Sequence, residues 1–292
     1  MPRKRTRTFL SQIFLVDESI ARKLVDSFRI DPHDVILEIG PGRGFLTAYL
    51  LKRSSALILV ERDRRLVRLL KSRFREIERI TVISGDFLKL DISELMSEKG
   101  RRPLRIIGMI PYHITTPILM HILNHRKSVT DALLVMQKEV ALRVVASPGS
   151  RAFGSLSIAV QYWADPVLLF PVGRDCFRPK PKVESQAIHL HMRDEPPVKP
   201  KNPELFFYLV RSLFSKRRKQ IQKSLRGERC FSLGVEDIDH IESACGLDLS
   251  KRPEELSIKD FSRLSDALSG YRKTGSFSTN FFIKAPDPGR DL

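Results

Sequence analysis

The 292-residue sequence has little of what secreted, metal-binding or membrane-spanning proteins need. It has three cysteines, whose odd number and spacing suit neither a disulfide framework nor a metal site. No apolar run approaches the length of a membrane span, and no apolar signal core follows the basic residues at the start. We therefore expect a reduced, cytoplasmic protein without a membrane segment and without a resident metal.

Acidic residues are also scarce, with 34 Asp and Glu against 51 Lys and Arg. The formal net charge of +17 and the pI of about 10.1 favour a polyanionic partner, either nucleic acid or an anionic membrane surface. Seven of the basic residues lie between Arg62 and Arg75. This run could line a nucleic-acid face or could be an ordinary solvated helix surface.

Residues 35–52 predict a strand, a glycine turn and a helix in succession. Val35–Ile39 is an apolar, β-branched run, typical of a buried strand. Gly40, Gly42 and Gly44 permit a tight turn with its backbone close to a ligand, and the residues after them predict a helix. An α/β fold presents a cofactor in this way at the carboxyl end of its first strand.

The next predicted strand, Ala56–Val60, ends on an acid, Glu61, which could accept hydrogen bonds from both ribose hydroxyls of a nucleoside. The glycines follow G-x-G-x-G rather than the dinucleotide pattern G-x-G-x-x-G, and no Gly-Lys-Ser/Thr follows to hold phosphate. S-adenosylmethionine therefore fits better than NAD or ATP. An ordinary turn with structural glycines is the alternative.

Further strands alternate with helices, which predicts an α/β fold with a mostly parallel sheet closed by antiparallel strands. Strands at Ile80–Ile83 and Leu104–Gly108 should bring Asp86 and the segment from Met109 to Tyr112 to the edge where the glycine turn lies. Residues 1–194 are predicted to form this domain. A proline-rich linker follows at 195–203, then a small helical domain at 204–270 and a loose tail at 271–292.

Several distinct motifs follow one another between residues 9 and 268. They include L-S-Q-I-F-L-V-D, E-I-G-P-G-R-G-F-L-T, M-I-P-Y-H-I-T-T-P-I, F-R-P-K-P-K-V-E-S and R-P-E-E-L-S. In this order they resemble the ribosomal RNA adenine dimethyltransferases, which comprise the KsgA-type small-subunit enzymes and the erythromycin-resistance methylases. The resemblance implies a Rossmann-like methyltransferase fold with a seven-stranded sheet and a helical C-terminal domain.

The resemblance also implies two methyl transfers from S-adenosylmethionine to N6 of each of two adjacent adenines near the 3′ end of small-subunit rRNA, during ribosome assembly. It assigns the reaction to Met109, Ile110, Pro111, Tyr112 and Phe177. The Ile110 carbonyl would accept from the amino group, and the two aromatic rings would enclose a flipped base. The implied cofactor residues are Gln12, Ile13, Leu15, Gly40, Gly42, Gly44, Glu61, Asp86, Phe87 and Met109.

Two positions depart from the family pattern. Met109 stands where the family has an Asn whose side chain accepts a hydrogen bond, and a thioether is a weak acceptor. We expect chemistry roughly 10²–10³-fold slower from this change. Ile13 replaces an Asn or His near the cofactor's methionine end. The alternative is a family member that binds rRNA as an assembly factor with weak or no methylation.

The helical domain opens on four consecutive basic residues, Lys216, Arg217, Arg218 and Lys219, which we expect to contact the rRNA backbone. A merely solvated face is the other interpretation. His121 and His125 have helical i, i+4 spacing, but no Glu completes H-E-x-x-H, so we predict no metal there. A monomer is expected. A third interpretation, the DNA-binding transcription-factor branch of the family, is disfavoured by the intact R-R-K and R-P-E-E-L segments.

Overall fold

The computed structural model describes residues 13–54, 56–98, 103–228, 230–231 and 233–271. The strands are β1 Phe14–Leu15, β2 Val35–Ile39, β3 Ala56–Glu61, β4 Ile80–Ser84, β5 Leu104–Met109, β6 Val129–Gln137, β7 Ala164–Val172, β8 Phe177–Arg178 and β9 Ser185–Met192. The helices are α1 Glu18–Phe28, α2 Phe45–Leu50, α3 Arg64–Arg73, α4 Ile92–Glu98, α5 Thr115–Asn124, α6 Lys138–Val145, α7 Ser155–Trp163, α8 Pro203–Ser215, α9 Ile221–Arg226, α10 Val235–Cys245 and α11 Ile258–Leu268. Among the described residues, no helix combines the length and apolar content that crossing a membrane requires.

The chain divides into two compact units. The first lies within residues 1–118, 127–141 and 167–190, and the second within 119–126, 142–166 and 191–292. The second unit thus takes in segments that precede the proline-rich stretch as well as the helices that follow it. The sequence-based boundary at 195–203 stays a prediction, and the predicted tail at 271–292 lies outside the described residues from 272 onward.

Seven strands form one sheet in the order β4-β3-β2-β5-β6-β9-β7. The pairs β2–β3, β2–β5, β3–β4 and β5–β6 are all parallel. All five residues of β2 are buried, as expected for a central strand covered on both faces. The mostly parallel seven-stranded sheet confirms the predicted Rossmann-like fold class, and the helical C-terminal region is also present.

The strand order reverses at β2, which has β3 on one side and β5 on the other. In an open parallel sheet, the loops that leave such neighbouring strands diverge and open a crevice at the carboxyl ends of the strands. The glycine turn leaves β2 at this edge, and Met109 is the last residue of β5. The topology therefore brings the predicted segments together, as the sequence indicated.

A separate two-stranded sheet pairs β1 with β8. Phe14 lies opposite Arg178, and Leu15 lies opposite Phe177, in antiparallel register. The Val16 amide extends the contact by donating to the Cys176 carbonyl at 2.9 Å. This pairing joins segments more than 160 residues apart in sequence, and it places the start of the described chain beside the loop that carries Phe177.

Residues 156–163 are an apolar run whose pattern fits either a helix or a strand, and in the structure they belong to α7. Most of the side chains of α7 are buried, including Tyr162 and Trp163. A helix that is apolar on every side shows no 3.6-residue periodicity, which is why the pattern was ambiguous. In the second unit, Phe214 stacks on Phe261 at 5.7 Å between ring centroids and meets Phe153 edge-on.

Candidate active site

A cavity of about 290 Å³ lies at the carboxyl ends of the central strands, wholly within the first unit. The predicted site residues that line it are Ile13, Gly40, Gly42, Glu61, Asp86, Phe87, Met109, Ile110, Pro111, Tyr112 and Phe177. Lining residues that the sequence analysis did not identify as site residues include Phe14, Arg62, Leu66, His113 and Ser185. The cavity is therefore bounded by both the predicted cofactor segments and the predicted base-binding segments.

Gly42 allows the chain to make a close contact at the floor of the cavity. Its φ is +60°, and a Cβ built there would lie 2.9 Å from Cδ1 and Cε1 of Phe14. Gly40 has a similar φ of +61° but has nothing within 4 Å of such an atom. Gly42 is thus required both by its backbone conformation and by the ring packed against it, whereas Gly40 is required by conformation alone.

The structure places two predicted cofactor residues outside the cavity lining, Gly44 and Leu15. Gly44 precedes α2 with φ +76°. A Cβ at this position would lie 2.9 Å from the Phe74 ring and 3.0 Å from a methyl group of Leu70. Leu15 is buried in the core and pairs with Phe177. Gly44 and Leu15 therefore pack against other residues rather than line the cavity. The predicted Gln12 lies outside the described residues.

Glu61 ends β3 with its side chain almost wholly buried. Its Oε2 accepts from the Gly42 amide at 3.1 Å, and its Oε1 accepts from the Asp63 amide at 2.8 Å. Burial raises the pKa of this carboxyl, while the backbone hydrogen bonds act in the opposite direction. Since a carboxylate has about four acceptor positions, Glu61 keeps acceptor capacity for a ligand hydroxyl beside these backbone hydrogen bonds.

A second acid, Glu38, lies buried in β2 and was not identified from the sequence. Its Oε2 accepts from the Thr47 hydroxyl at 2.6 Å, but its Oε1 has no hydrogen-bond partner within the described part of the chain. Burial, and to a smaller extent the charge of Glu61, raises the pKa of Glu38 to about 7. The available signal was an acid in the middle of an otherwise apolar strand, a position that disfavours charge.

Asp86 and Arg62 lie at the same edge of the cavity. Asp86 Oδ1 accepts from the Leu88 amide at 3.1 Å, and Asp86 Oδ2 lies 3.6 Å from a nitrogen of Arg62. One oxygen of Asp86 thus holds the turn that begins at Phe87 in place. This arrangement keeps a hydrogen-bond acceptor at the cavity wall, in keeping with the predicted role of Asp86 as a cofactor residue.

The segment after β5 forms the opposite wall. The Ile110 amide donates to the Val135 carbonyl at 2.9 Å, which fixes the backbone on which the predicted Ile110 acceptor depends. The Tyr112 hydroxyl lies 2.7 Å from the hydroxyl of Ser185, a fully buried residue. Phe177 is 3% exposed and lines the same cavity as Tyr112. The two aromatic side chains predicted to enclose a base therefore share one cavity.

The four basic residues at the end of α8, in the second unit, differ in their surroundings. Lys216 lies 2.5 Å from Glu228, and Arg217 lies 3.3 Å from Glu254 while donating to the Arg151 carbonyl at 2.6 Å. Arg218 and Lys219 are exposed. Lys216 and Arg217 therefore have internal structural partners, and Arg218 and Lys219 present their charge to solvent.

The fold and the cavity together define a class of protein: a Rossmann-like methyltransferase, whose cavity is lined by a glycine turn, a buried acid and two aromatic side chains. The family model described as ribosomal RNA adenine dimethylase matches residues 3–268. The chain therefore belongs to the ribosomal RNA adenine dimethylase family, a family of S-adenosylmethionine-dependent methyltransferases. The family resemblance, enzyme class and cofactor predicted from the sequence are confirmed.

Curated relatives agree with this placement. The chain is 37% identical over 261 residues to ribosomal RNA small subunit methyltransferase A of Alkaliphilus metalliredigens, covering 89% of this chain and 91% of that protein. It is 38% identical over 261 residues to the protein of the same name from Clostridioides difficile, covering 89% and 90%. The match extends over nearly the full length of both partners.

Solved structures show the same likeness. A dimethyladenosine transferase from Plasmodium falciparum is similar with a TM-score of 0.71 and 25% identity, over 86% of this chain and 95% of that one. The 23S rRNA methyltransferase ErmE is similar with a TM-score of 0.66 and 25% identity, over 87% and 99%. The architecture is therefore shared with a dimethyladenosine transferase and with a 23S rRNA methyltransferase.

Proposed function

We propose that this protein dimethylates N6 of two adjacent adenines near the 3′ end of small-subunit rRNA during ribosome assembly. One observation carries the proposal: Glu61 and the glycine turn line the same cavity as Tyr112 and Phe177. The relatives named small subunit methyltransferase A support the small-subunit substrate.

The residues present fit S-adenosylmethionine. Glu61 offers carboxylate lone pairs for ribose hydroxyls, Asp86 an acceptor for the adenine amino group, and Ile13 and Phe14 an apolar wall. No Gly-Lys-Ser/Thr sequence follows the glycine turn, in keeping with a cofactor that lacks phosphate. When bound, this cofactor supplies a methyl group on a positively charged sulfur.

The chain's own contribution is to orient the adenine. The Ile110 carbonyl, on a backbone fixed to Val135, would accept a hydrogen bond from the N6 amino group and direct the nitrogen lone pair away from the ring. Tyr112 and Phe177 would hold the flipped base between their rings, which compensates the loss of base stacking in the RNA. Water exclusion follows from the apolar walls of the cavity.

Met109 lines the cavity at the position where the family has Asn. A thioether is a weak acceptor, so a second hydrogen bond to N6 would be weak, and turnover would be roughly 10²–10³-fold below that of an Asn-bearing enzyme. Ile13 lines the cavity too and offers no polar atom. The curated relatives are named as methyltransferases, so they favour catalysis over the binding-only alternative.

The test is incorporation of labelled methyl groups into unmethylated small ribosomal subunits by this protein and its Met109→Asn variant. We expect incorporation by the parent and a higher rate for Met109→Asn. Tyr112→Ala serves as the matched loss-of-function control in the same pocket. Tight subunit binding and cofactor binding without any incorporation would instead establish the binding-only alternative.

We further propose that the protein acts as a monomer, without a resident metal, in the cytoplasm. None of its three cysteines forms a disulfide, which suits a reducing compartment. The proposed substrate is a ribosomal particle. Sedimentation of the purified protein would measure its oligomeric state, and full activity in the presence of a metal chelator would support the metal-free proposal.

A further inference from the structure

We propose that the exposed side of α3 is a second RNA-binding surface, which holds the phosphate backbone of the substrate strand beside the active-site cavity. The surface consists of Arg64, Arg68 and Lys71, called here the α3 basic face. The inference rests on the proposed function in taking rRNA as the ligand. It adds a contact region in the first unit to the basic residues Arg218 and Lys219 of the second.

The three side chains of the α3 basic face follow one line along the helix. They stand at positions i, i+4 and i+7, which share one side of an α-helix. All three are exposed, while Val67 and Leu70 of the same helix are buried. At 1.5 Å of rise per residue, the line is about 10 Å long, so it can follow a backbone rather than a single phosphate.

No acid neutralises this face. Among the described residues, no carboxylate lies within ion-pair distance of Arg64, Arg68 or Lys71. Like charges at i, i+4 spacing destabilise a helix by about 0.2–0.5 kcal/mol per pair. The helix therefore carries a repulsion that nothing in this part of the structure offsets, and that a polyanionic ligand would relieve.

Several other exposed cations of the first unit have a carboxylate partner. Arg22 lies 2.8 Å from Glu18, Arg53 lies 3.3 Å from Asp26, and Lys138 lies 2.8 Å from Glu184. The α3 basic face differs from these pairs in having three exposed cations along one line of a helix, none of them within ion-pair distance of a described carboxylate. This contrast favours a ligand-binding role over a merely solvated helix.

The α3 basic face adjoins the active site. Arg62, two residues before its first member, lines the cavity, and Arg73 of α3 donates to the carbonyl of Arg43 in the glycine turn at 2.8 Å. An RNA strand that delivers a base into the cavity must pass near its mouth. Its backbone would then lie within reach of the face, which favours RNA over an anionic membrane as the ligand.

The test compares a triple variant, Arg64→Gln, Arg68→Gln and Lys71→Gln, with a control that loses the same charge elsewhere in the first unit, Arg22→Gln, Lys52→Gln and Arg53→Gln. The measurement is the Kd for unmethylated small subunits at several KCl concentrations. We expect the α3 variant to bind at least 10-fold more weakly. The slope of log Kd against log salt should fall by about 2 to 3, because each lost phosphate contact removes about 0.7–0.9.

Unchanged thermal stability and cofactor affinity would show that the α3 variant is folded. The same Kd and slope in the α3 variant and the control would overturn the inference, as would loss of binding to phosphatidylserine vesicles with subunit binding unaffected. If the parent binds subunits without transferring methyl groups, the proposed function fails while the salt slopes still decide the role of the α3 basic face. If the parent does not bind subunits at all, both proposals are wrong.

Discussion

The hydroxyl of Tyr112 is held 2.7 Å from the hydroxyl of Ser185, so the first residue of β9 fixes the ring that forms one wall of the cavity. Ser185 is fully buried, and its own position is determined by the sheet. The ring of Tyr112 is therefore oriented before any base arrives. A preformed stacking surface lowers the entropic cost of binding a flipped adenine.

Replacing Ser185 by Ala should release this ring without altering the cofactor end of the cavity. One hydrogen bond contributes about 1 kcal/mol, so we expect methyl transfer to fall about fivefold with the Kd for S-adenosylmethionine unchanged. Tyr112→Phe removes the same bond from the other side. A double variant that is no slower than Tyr112→Phe alone would confirm that Ser185 acts through Tyr112, and additive losses would contradict it.

Gly42→Ala should be more damaging than Gly40→Ala, although both glycines have φ near +60°. Both variants place an alanine in the left-handed backbone conformation, which costs about 1–2 kcal/mol of stability. Only the Cβ at position 42 also contacts the Phe14 ring. Thermal unfolding and cofactor titration measure the difference. Adding Phe14→Leu should recover part of the loss in Gly42→Ala and nothing in Gly40→Ala. Equal effects of the two alanines would show that the ring contact is unimportant.

Glu38 should make stability depend on pH. Its pKa is raised from 4.5 to about 7 in the folded protein, so folding favours the protonated carboxyl. The stability that it contributes is complete below pH 4.5 and is lost as the pH rises to 7, by about 3 kcal/mol. Relative to the parent, Glu38→Gln should gain unfolding free energy between pH 5 and 7 and then level off. A difference that is constant from pH 5 to 8, measured by urea unfolding, would contradict this.

Neighbouring arginines of the second unit should respond differently to the same substitution. Arg217→Gln breaks the contacts with Glu254 and the Arg151 carbonyl and should cost roughly 1 kcal/mol of unfolding free energy. Arg218→Gln removes an exposed charge and should leave stability unchanged. It should instead reduce the salt dependence of subunit binding by about 0.7–0.9. The reverse pattern in denaturant titrations and binding curves would show that the two roles are exchanged.

The part of the fold that depends on local pattern could be predicted from the sequence. The strand predicted at Val35–Ile39 has the bounds that β2 shows, and Asp17 is of a residue type that favours the N-cap position of a helix. In the structure, Asp17 accepts from the Ile20 amide at 3.0 Å at the start of α1. Continuous apolar runs and capping side chains act over a few residues, so their signal survives in the sequence.

Features that depend on distant residues could not be predicted in this way. The pairing of Phe14 with Arg178 leaves no periodic signal, because each strand has two residues. The bond from Tyr112 to Ser185 spans 73 positions, and the engagement of Lys216 and Arg217 by Glu228 and Glu254 depends on how helices meet. The sequence analysis predicted roles for Tyr112, Lys216 and Arg217, but it gave no information on which residues these side chains contact.

The pairing of β1 with β8 connects one short segment to both predicted parts of the site, the cofactor part and the base-binding part. Phe14 packs against the turn at Gly42, while its strand is hydrogen-bonded to the strand that carries Phe177. If the methyl donor or the acceptor adenine orders this shared segment when it binds, the other ligand loses less conformational entropy on binding. Thermodynamic reciprocity then requires each ligand to raise the protein's affinity for the other by the same factor.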